Sequence, residues 1–168
     1  MKKIFFQIIV LLFAVKALQA QDAWVTHKID NRVSVKFPNQ PKEVNPGCFV
    51  STDKDSTVYF FLGLDMKILD IDSTHLEEYY HTPEGLGHLK QIITRGFPDS
   101  DIGDLKIGTW KGLTSYTTSG INTSTQKKIY VFMFIMTNKK LYIQFISIPN
   151  GKSTKARDDY FGSTILNE

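Results

Sequence analysis

Most of this chain reads as strands, some alternating apolar with polar positions and others apolar at consecutive positions, and helical spacing appears only in the middle and near the end. Trp24 to Ile29 reads as a first strand, and Asp30-Asn31 supplies turn chemistry after it. Val33, Val35 and Phe37 then alternate with Arg32, Ser34 and Lys36, the pattern of a half-buried strand, until Pro38 and Pro41 stop it. Gly47 to Thr52 predicts a short strand, with a polar turn over Asp53-Lys54-Asp55-Ser56. Thr57 to Met66 follows, apolar at consecutive positions and therefore a strand covered on both sides.

The middle changes period. Ser73 or Thr74 can cap a short helix through Tyr80, and Thr82-Pro83-Glu84 restarts the pattern with a cap, a first-turn proline and a first-turn acid. Leu86, Leu89, Ile92, Ile93 and Phe97 fall on one side of that second helix, and Gly96 and Pro98 end it. Strands then return. Asp104–Thr109 and Leu113–Ser119 flank a hairpin turn at Trp110-Lys111-Gly112, and Gly120–Thr125 reads as a polar loop. Lys128–Thr137 and Leu141–Pro149 predict the clearest hairpin, turning at Asn138-Lys139. In its first strand Ile129, Val131, Met133 and Ile135 take one face, and Tyr130, Phe132, Phe134 and Met136 the other, so both faces need cover. After Asn150-Gly151-Lys152, Ser153 can cap a last helix carrying Ala156, Tyr160, Phe161 and Thr164 on one side, and Ile165 and Leu166 follow.

Hairpin-length connections imply antiparallel pairing, and helices before and after the last strands imply cover on both faces. The expected fold is α+β: a three-layer α/β/α sandwich with a mostly antiparallel sheet. The alternative is a cone-shaped fold of the NTF2 or cystatin kind, which requires the helices on one sheet face.

The first twenty residues stand apart. Lys2 and Lys3 precede an apolar run, Ile4–Val15, broken only by Gln7, and Ala17-Leu18-Gln19-Ala20 supplies a small-residue end. These are the parts of a cleavable export signal, with the cut after Ala20, and the run is short for a bilayer span. The expectation is one domain over residues 21–168, exported to the periplasm or the exterior, with no stable membrane insertion after cleavage. The charge reading changes with it. The whole chain has 20 Lys+Arg and 17 Asp+Glu, a net charge of +3. Lys2, Lys3 and Lys16 leave with the signal and no acid does, so the remaining 17 basic and 17 acidic side chains balance. The basic pI of the whole chain is therefore no nucleic-acid footprint.

Candidate chemistry is sparse. Cys48 is the only cysteine, so no disulfide forms within the chain, and a small buried residue is the simpler reading than a reactive thiol partnered by His27. Glu77, His81, Glu84 and His88 would share one stripe of a continuous helix, and imidazole with carboxylate can ligate zinc. Pro83, Gly85 and Gly87 argue for a break that rotates the two pairs apart, which leaves exposed Glu–His pairs. No Gly-x-Ser-x-Gly elbow occurs, and Gly85-Leu86-Gly87 lacks the strand and third glycine of a phosphate loop. Asp70 with Asp72 and Asp99 with Asp101 read as element ends rather than acid–base pairs. Tyr79, Tyr80, Trp110 and Tyr116 could line a groove, although sheet core is their ordinary place. No residue is assigned a catalytic, cofactor-binding or metal role, no cofactor is expected, and the reading leans away from an enzyme.

Three phrases carry a family resemblance: Val33-Ser34-Val35-Lys36-Phe37-Pro38-Asn39-Gln40-Pro41, the hairpin from Tyr130 to Phe145, and Asp159-Tyr160-Phe161-Gly162-Ser163-Thr164-Ile165. With the element order, they make the chain resemble the PsbP/Mog1-like superfamily of small α/β/α sandwiches. The resemblance implies a noncatalytic binding or accessory protein, since the best-known members attach to a photosynthetic complex or to a nuclear GTPase. With the balanced charge and the missing catalytic motifs, the expected partner is an envelope protein or a small molecule; the alternative is a small-molecule or lipid carrier with a pocket between sheet and helix, and a metal-dependent hydrolase centred on His81 and His88 stands further behind. The resemblance transfers no functional residue.

Overall fold

The computed structural model describes residues 24–65, 76–136 and 140–167. The proposed cleavage point at Ala20, the pair Asp70 and Asp72, the cap at Ser73 or Thr74 and the turn at Asn138-Lys139 lie outside the described residues. The described strands are β1 (Val25–Lys28), β2 (Val33–Phe37), β3 (Lys42–Asn45), β4 (Cys48–Thr52), β5 (Val58–Asp65), β6 (Ser100–Ile102), β7 (Lys106–Trp110), β8 (Leu113–Asn122), β9 (Lys128–Met136), β10 (Lys140–Ile148) and β11 (Ile165–Leu166). The described helices are α1 (Leu76–Tyr80), α2 (Pro83–Gly96) and α3 (Lys155–Gly162).

The central sheet has eight strands in the order β3-β4-β5-β10-β9-β8-β6, with β7 also paired to β8, and every pairing is antiparallel. Strands β1, β2 and β11 form a second, three-stranded antiparallel sheet. Because side chains alternate across a strand, β5, β9 and β10 feed two separate cores. Phe61, Phe132, Phe134, Tyr142 and Ile146 pack on one face with Val33, Val35 and Phe37 of β2 and Tyr160 of α3. Val131, Met133, Ile143 and Phe145 pack on the other with Tyr80 of α1 and Leu89 and Ile93 of α2. The helices therefore lie on opposite faces. This is the three-layer arrangement, with one outer layer shared between α3 and the small sheet.

The alternation expected for β9 is the alternation found. Thr82 caps α2 as its sequence suggests: its backbone is extended, and its hydroxyl accepts from the Gly85 N–H at 3.1 Å. Cys48 is buried. Three strands go beyond the sequence reading. Lys42-Glu43-Val44-Asn45 forms the exposed edge strand β3. Ser100–Ile102 forms β6, and it does so by pairing with Gly120-Ile121-Asn122, the stretch expected to be a loop. The contact is close: a Cβ on Gly120 would stand 2.1 Å from the Asp101 carbonyl oxygen. Ile165 and Leu166 form β11 by pairing with Ser34 and Val33. At α3, Ser153 accepts from the Lys155 N–H one position ahead of Thr154, the cap residue, whose own side chain makes no capping bond.

The aromatic face also holds a buried polar network. Gln144 and Tyr160 are fully buried, and Thr164 nearly so. The Gln144 side-chain N–H donates to the Tyr160 carbonyl at 3.0 Å, and its Oε1 accepts from the Thr164 hydroxyl at 2.8 Å. The Tyr160 hydroxyl donates to the Phe60 carbonyl at 2.8 Å. These bonds fix α3 and β11 to the middle of the sheet, since breaking one would strand its partner out of water.

Candidate functional site

The site forms where four segments meet beside α3. The polar turn after β4 is its rigid wall. Asp53 is the centre of that turn: Oδ1 accepts from the N–H groups of Asp55 at 2.8 Å and Thr57 at 3.0 Å, and Oδ2 accepts from the Tyr59 hydroxyl at 2.9 Å. Ser56 sits at φ +63°, a left-handed conformation uncommon for a side chain larger than glycine. Its carbonyl accepts from Lys127 Nζ at 3.1 Å, and Lys152 Nζ pairs with Asp55 at 2.9 Å, so two other loops hold the turn. Asn39 donates to the Thr52 carbonyl at 2.9 Å and ties the β2–β3 connection to the same wall.

Opposite stands α3, with Lys155 and Asp159 joined one helical turn apart. Between the walls Trp24 packs edge-on against Tyr59, ring centroids 5.4 Å apart, and leans on Tyr160 at 6.3 Å. Trp24 is half-buried, and its indole N–H has no partner among the described residues. Together these groups enclose an open recess of about 670 Å³. Burial, then the hydrogen bond and charge of Asp53 and the charges of Asp159 and Asp55, push the Tyr59 hydroxyl well above its usual range. It stays a neutral donor. The Lys152 hydrogen bond holds the exposed Asp55 carboxyl below its usual range.

The residues singled out in the sequence lie elsewhere. The helix breaks between Tyr80 and Pro83, as Pro83 requires, and His81 and Glu84 are exposed. His88 Nδ1 bonds the Tyr79 hydroxyl instead. The Glu77 side chain lies outside the described residues. Among those described, no three His, Cys, Asp or Glu side chains converge as a metal set would. His27 rests on the Phe49 ring, centroids 4.6 Å apart, and Phe49 follows Cys48 on β4. Burial raises the Cys48 thiol above its usual range, away from thiolate chemistry. Asp99 and Asp101 are exposed at the β6 edge. The four aromatics that could have lined a groove take their ordinary core places and divide between the faces: Tyr80 and Tyr116 are fully buried under the helices, beside Tyr79, and Trp110 packs on the aromatic face.

No family model and no curated protein matches this chain. Among solved structures, it is similar to the cyanobacterial PsbP protein CyanoP from Synechocystis sp. PCC 6803. The match has a TM-score of 0.52 at 14% identity and covers 84% of this chain and 90% of that one. The fold is PsbP-like. A crystal structure from Bacteroides thetaiotaomicron also aligns, with a TM-score of 0.49 at 10% identity, over 81% of this chain and 45% of the other. At 14% identity the likeness to CyanoP concerns the fold alone. No Trp, Tyr or Asp motif in the sequence announces the recess. Its one local signal is the Asp53-Lys54-Asp55-Ser56 turn.

Proposed function

We propose that this chain is an exported, noncatalytic binding or accessory protein that docks on an envelope complex, and that the Trp24–Tyr59 recess is its recognition surface. The observation that carries the reading is the state of the ionisable groups there. Asp53 is tied into its turn, Asp55 is paired with Lys152 and Asp159 with Lys155, and Tyr59 is held neutral. A general base or a nucleophile needs a free, activated group, whereas a recognition surface needs fixed ones. The export-signal pattern of residues 1–20 supports the envelope as the place of action. Membership of the wider PsbP/Mog1-like superfamily is part of this proposal and supports an accessory role. A small-molecule carrier is the second reading, favoured by the recess volume. A lipid fits less well, because charged side chains border the opening.

The test is crosslinking of the tagged protein in its native envelope, read by product mass. A discrete adduct at stoichiometric yield, lost on substitution of Trp24 and Lys155, supports docking. A protein that remains monomeric under conditions that trap known envelope complexes refutes it. Detection of the mature amino terminus at Gln21 in the exported fraction tests export separately.

A further inference from the structure

We infer that the Trp24–Tyr59 recess takes a neutral polyhydroxylated ligand, a short oligosaccharide chain. The inference rests on the binding reading above and names the ligand class of that same site. Three features point to it together. First, charge is matched locally: Asp53, Asp55 and Asp159 line the recess with Lys54 and Lys155, and Lys152, from outside the lining, neutralises Asp55. A site balanced in this way offers no surplus to an organic cation or anion, and its potential does not select an ionic ligand. Second, donors and acceptors interleave across the opening. Carboxylate oxygens of Asp55 and Asp159 accept, and ammonium groups and the Trp24 indole N–H, without a partner among the described residues, donate. Sugar hydroxyls both donate and accept, so a neutral glycan can satisfy both kinds of group at once. Charge-assisted bonds of this kind are the stronger ones.

Third, an aromatic wall stands beside those polar groups. The half-buried Trp24 presents apolar ring surface to the recess, backed by the buried Tyr59 ring, as the C–H face of a sugar ring requires, with the polar groups at its rim. The volume of about 670 Å³ lies within the range of ligand pockets, about 300–1,000 Å³, and exceeds what a single sugar ring fills. The recess is open on one side, which suits a chain longer than the part bound. It is also rigid. The Asp53 turn, Lys127 and Lys152 fix one wall, and the Gln144–Tyr160 network fixes α3, so little ordering is left to oppose binding.

The chain has two tryptophans, Trp24 and Trp110, so Trp110→Phe leaves Trp24 as the sole indole reporter. The protein, expressed from its full sequence, is titrated with chitotriose, cellotriose, maltotriose and mannotriose, and with the matching monosaccharides. Spermidine and citrate serve as charged probes. Trp24 fluorescence and the indole N–H resonance are followed, the latter in the unsubstituted protein as well. The expected result is a saturable change with at least one trisaccharide, about tenfold tighter than its monosaccharide. The pair Lys155→Ala with Asp159→Asn, which removes an exposed ion pair and leaves the fold intact by thermal melting, is expected to weaken it about tenfold. No saturable response to any of the four glycans, a tighter response to spermidine or citrate, or a response unchanged in the double variant overturns the inference. An envelope adduct without glycan binding leaves docking standing and removes this inference. Glycan binding without an adduct does the reverse.

Discussion

The two faces of the central sheet are built differently, and the difference locates the recess. Under α1 and α2 the core is Leu89, Ile93, Ile129, Val131, Met133, Leu141 and Ile143, with Phe97 stacked on Phe145 at 3.7 Å. That face is closed by direct helix–sheet packing, and its polar exceptions are costs rather than tools. The Tyr80 hydroxyl is buried with no partner among the described residues, and burial, with Tyr79 beside it, pushes its pKa up to about 12. Under β2 and α3 the core is aromatic and threaded with satisfied polar groups: Gln144, Thr164, Tyr160 and the Asp53–Tyr59 pair. Apolar packing is tolerant of small shifts, whereas hydrogen-bonded networks fix geometry. The face with the networks is the one that can hold a shaped recess at its border.

The largest expected effect breaks the helix face. Gly85 is buried where α1 meets α2, and a Cβ there would stand 2.1 Å from the Tyr79 carbonyl oxygen. Backbone cannot yield as a flexible side chain can, so Gly85→Ala is expected to destabilise by about 3 kcal/mol or more, read by urea unfolding. Gly87, two residues on in the same helix, has nothing within 4 Å of its virtual Cβ. Gly87→Ala is expected to stabilise by about 0.5–1 kcal/mol through helix propensity. Equal effects from the two would remove close approach as the cause.

The next effect breaks the other face through its network. Thr164→Val keeps shape but leaves Gln144 Oε1 without its donor in the core, for an expected loss of about 1–3 kcal/mol. Gln144→Leu is expected to cost a similar amount. The double variant is expected to lose less than the two single losses added together, because both remove one network. Additive losses in the cycle would show the two residues acting independently.

What the sequence disclosed follows the same division. The continuous apolar run of β9, read with the alternation of side chains along a strand, identified both faces residue by residue, because each side chain enters a core and so must be apolar. Thr82-Pro83-Glu84 located the start of α2, because capping is a local matter. β3 and β6 escaped notice since they are edge strands defined by backbone pairing, and Lys42-Glu43-Val44-Asn45 buries nothing. The recess escaped for a related reason. Trp24, Asp53, Tyr59 and Asp159 come from separate stretches, and each reads locally as a strand start, a turn, a core tyrosine or a helix charge. Only the tertiary fold makes them neighbours.

A smaller effect concerns the clamp between the β1–β2 turn and the far end of β10. Asp30 Oδ2 accepts from Lys140 Nζ at 2.8 Å and the Tyr142 hydroxyl at 2.7 Å, and Oδ1 accepts from the Arg32 and Val33 N–H groups. Burial alone would raise the Asp30 pKa, but these bonds outweigh it and hold the carboxyl at about 2, below the ordinary 3.8. A carboxyl depressed on folding stabilises fully above its unfolded pKa, and that share is lost as pH falls from about 4 to about 2. About 1–2 kcal/mol of stability is expected to disappear over that window and to be absent from Asp30→Asn, as acid titration of the urea midpoint would read. An acid profile unchanged in Asp30→Asn would place the sensitivity elsewhere.

The smallest expected effect is the one that sharpens the comparison most. Lys155 and Asp159 form an exposed pair on α3, with side chains 76% and 45% accessible, so screening leaves it little weight in stability. Removing it with Lys155→Ala and Asp159→Asn is expected to move the urea midpoint by no more than Gly87→Ala does. The Asp30 and Thr164 changes, in contrast, lower stability while leaving the recess walls in place at neutral pH. Stability and the proposed recognition on the aromatic face thereby fall to different residues: a buried network holds α3 down, and the exposed turn of the same helix would meet the ligand. Loss of fold in the Lys155 and Asp159 variant, or loss of recognition in Thr164→Val at a temperature where it is folded, would show that the two roles cannot be separated on this helix.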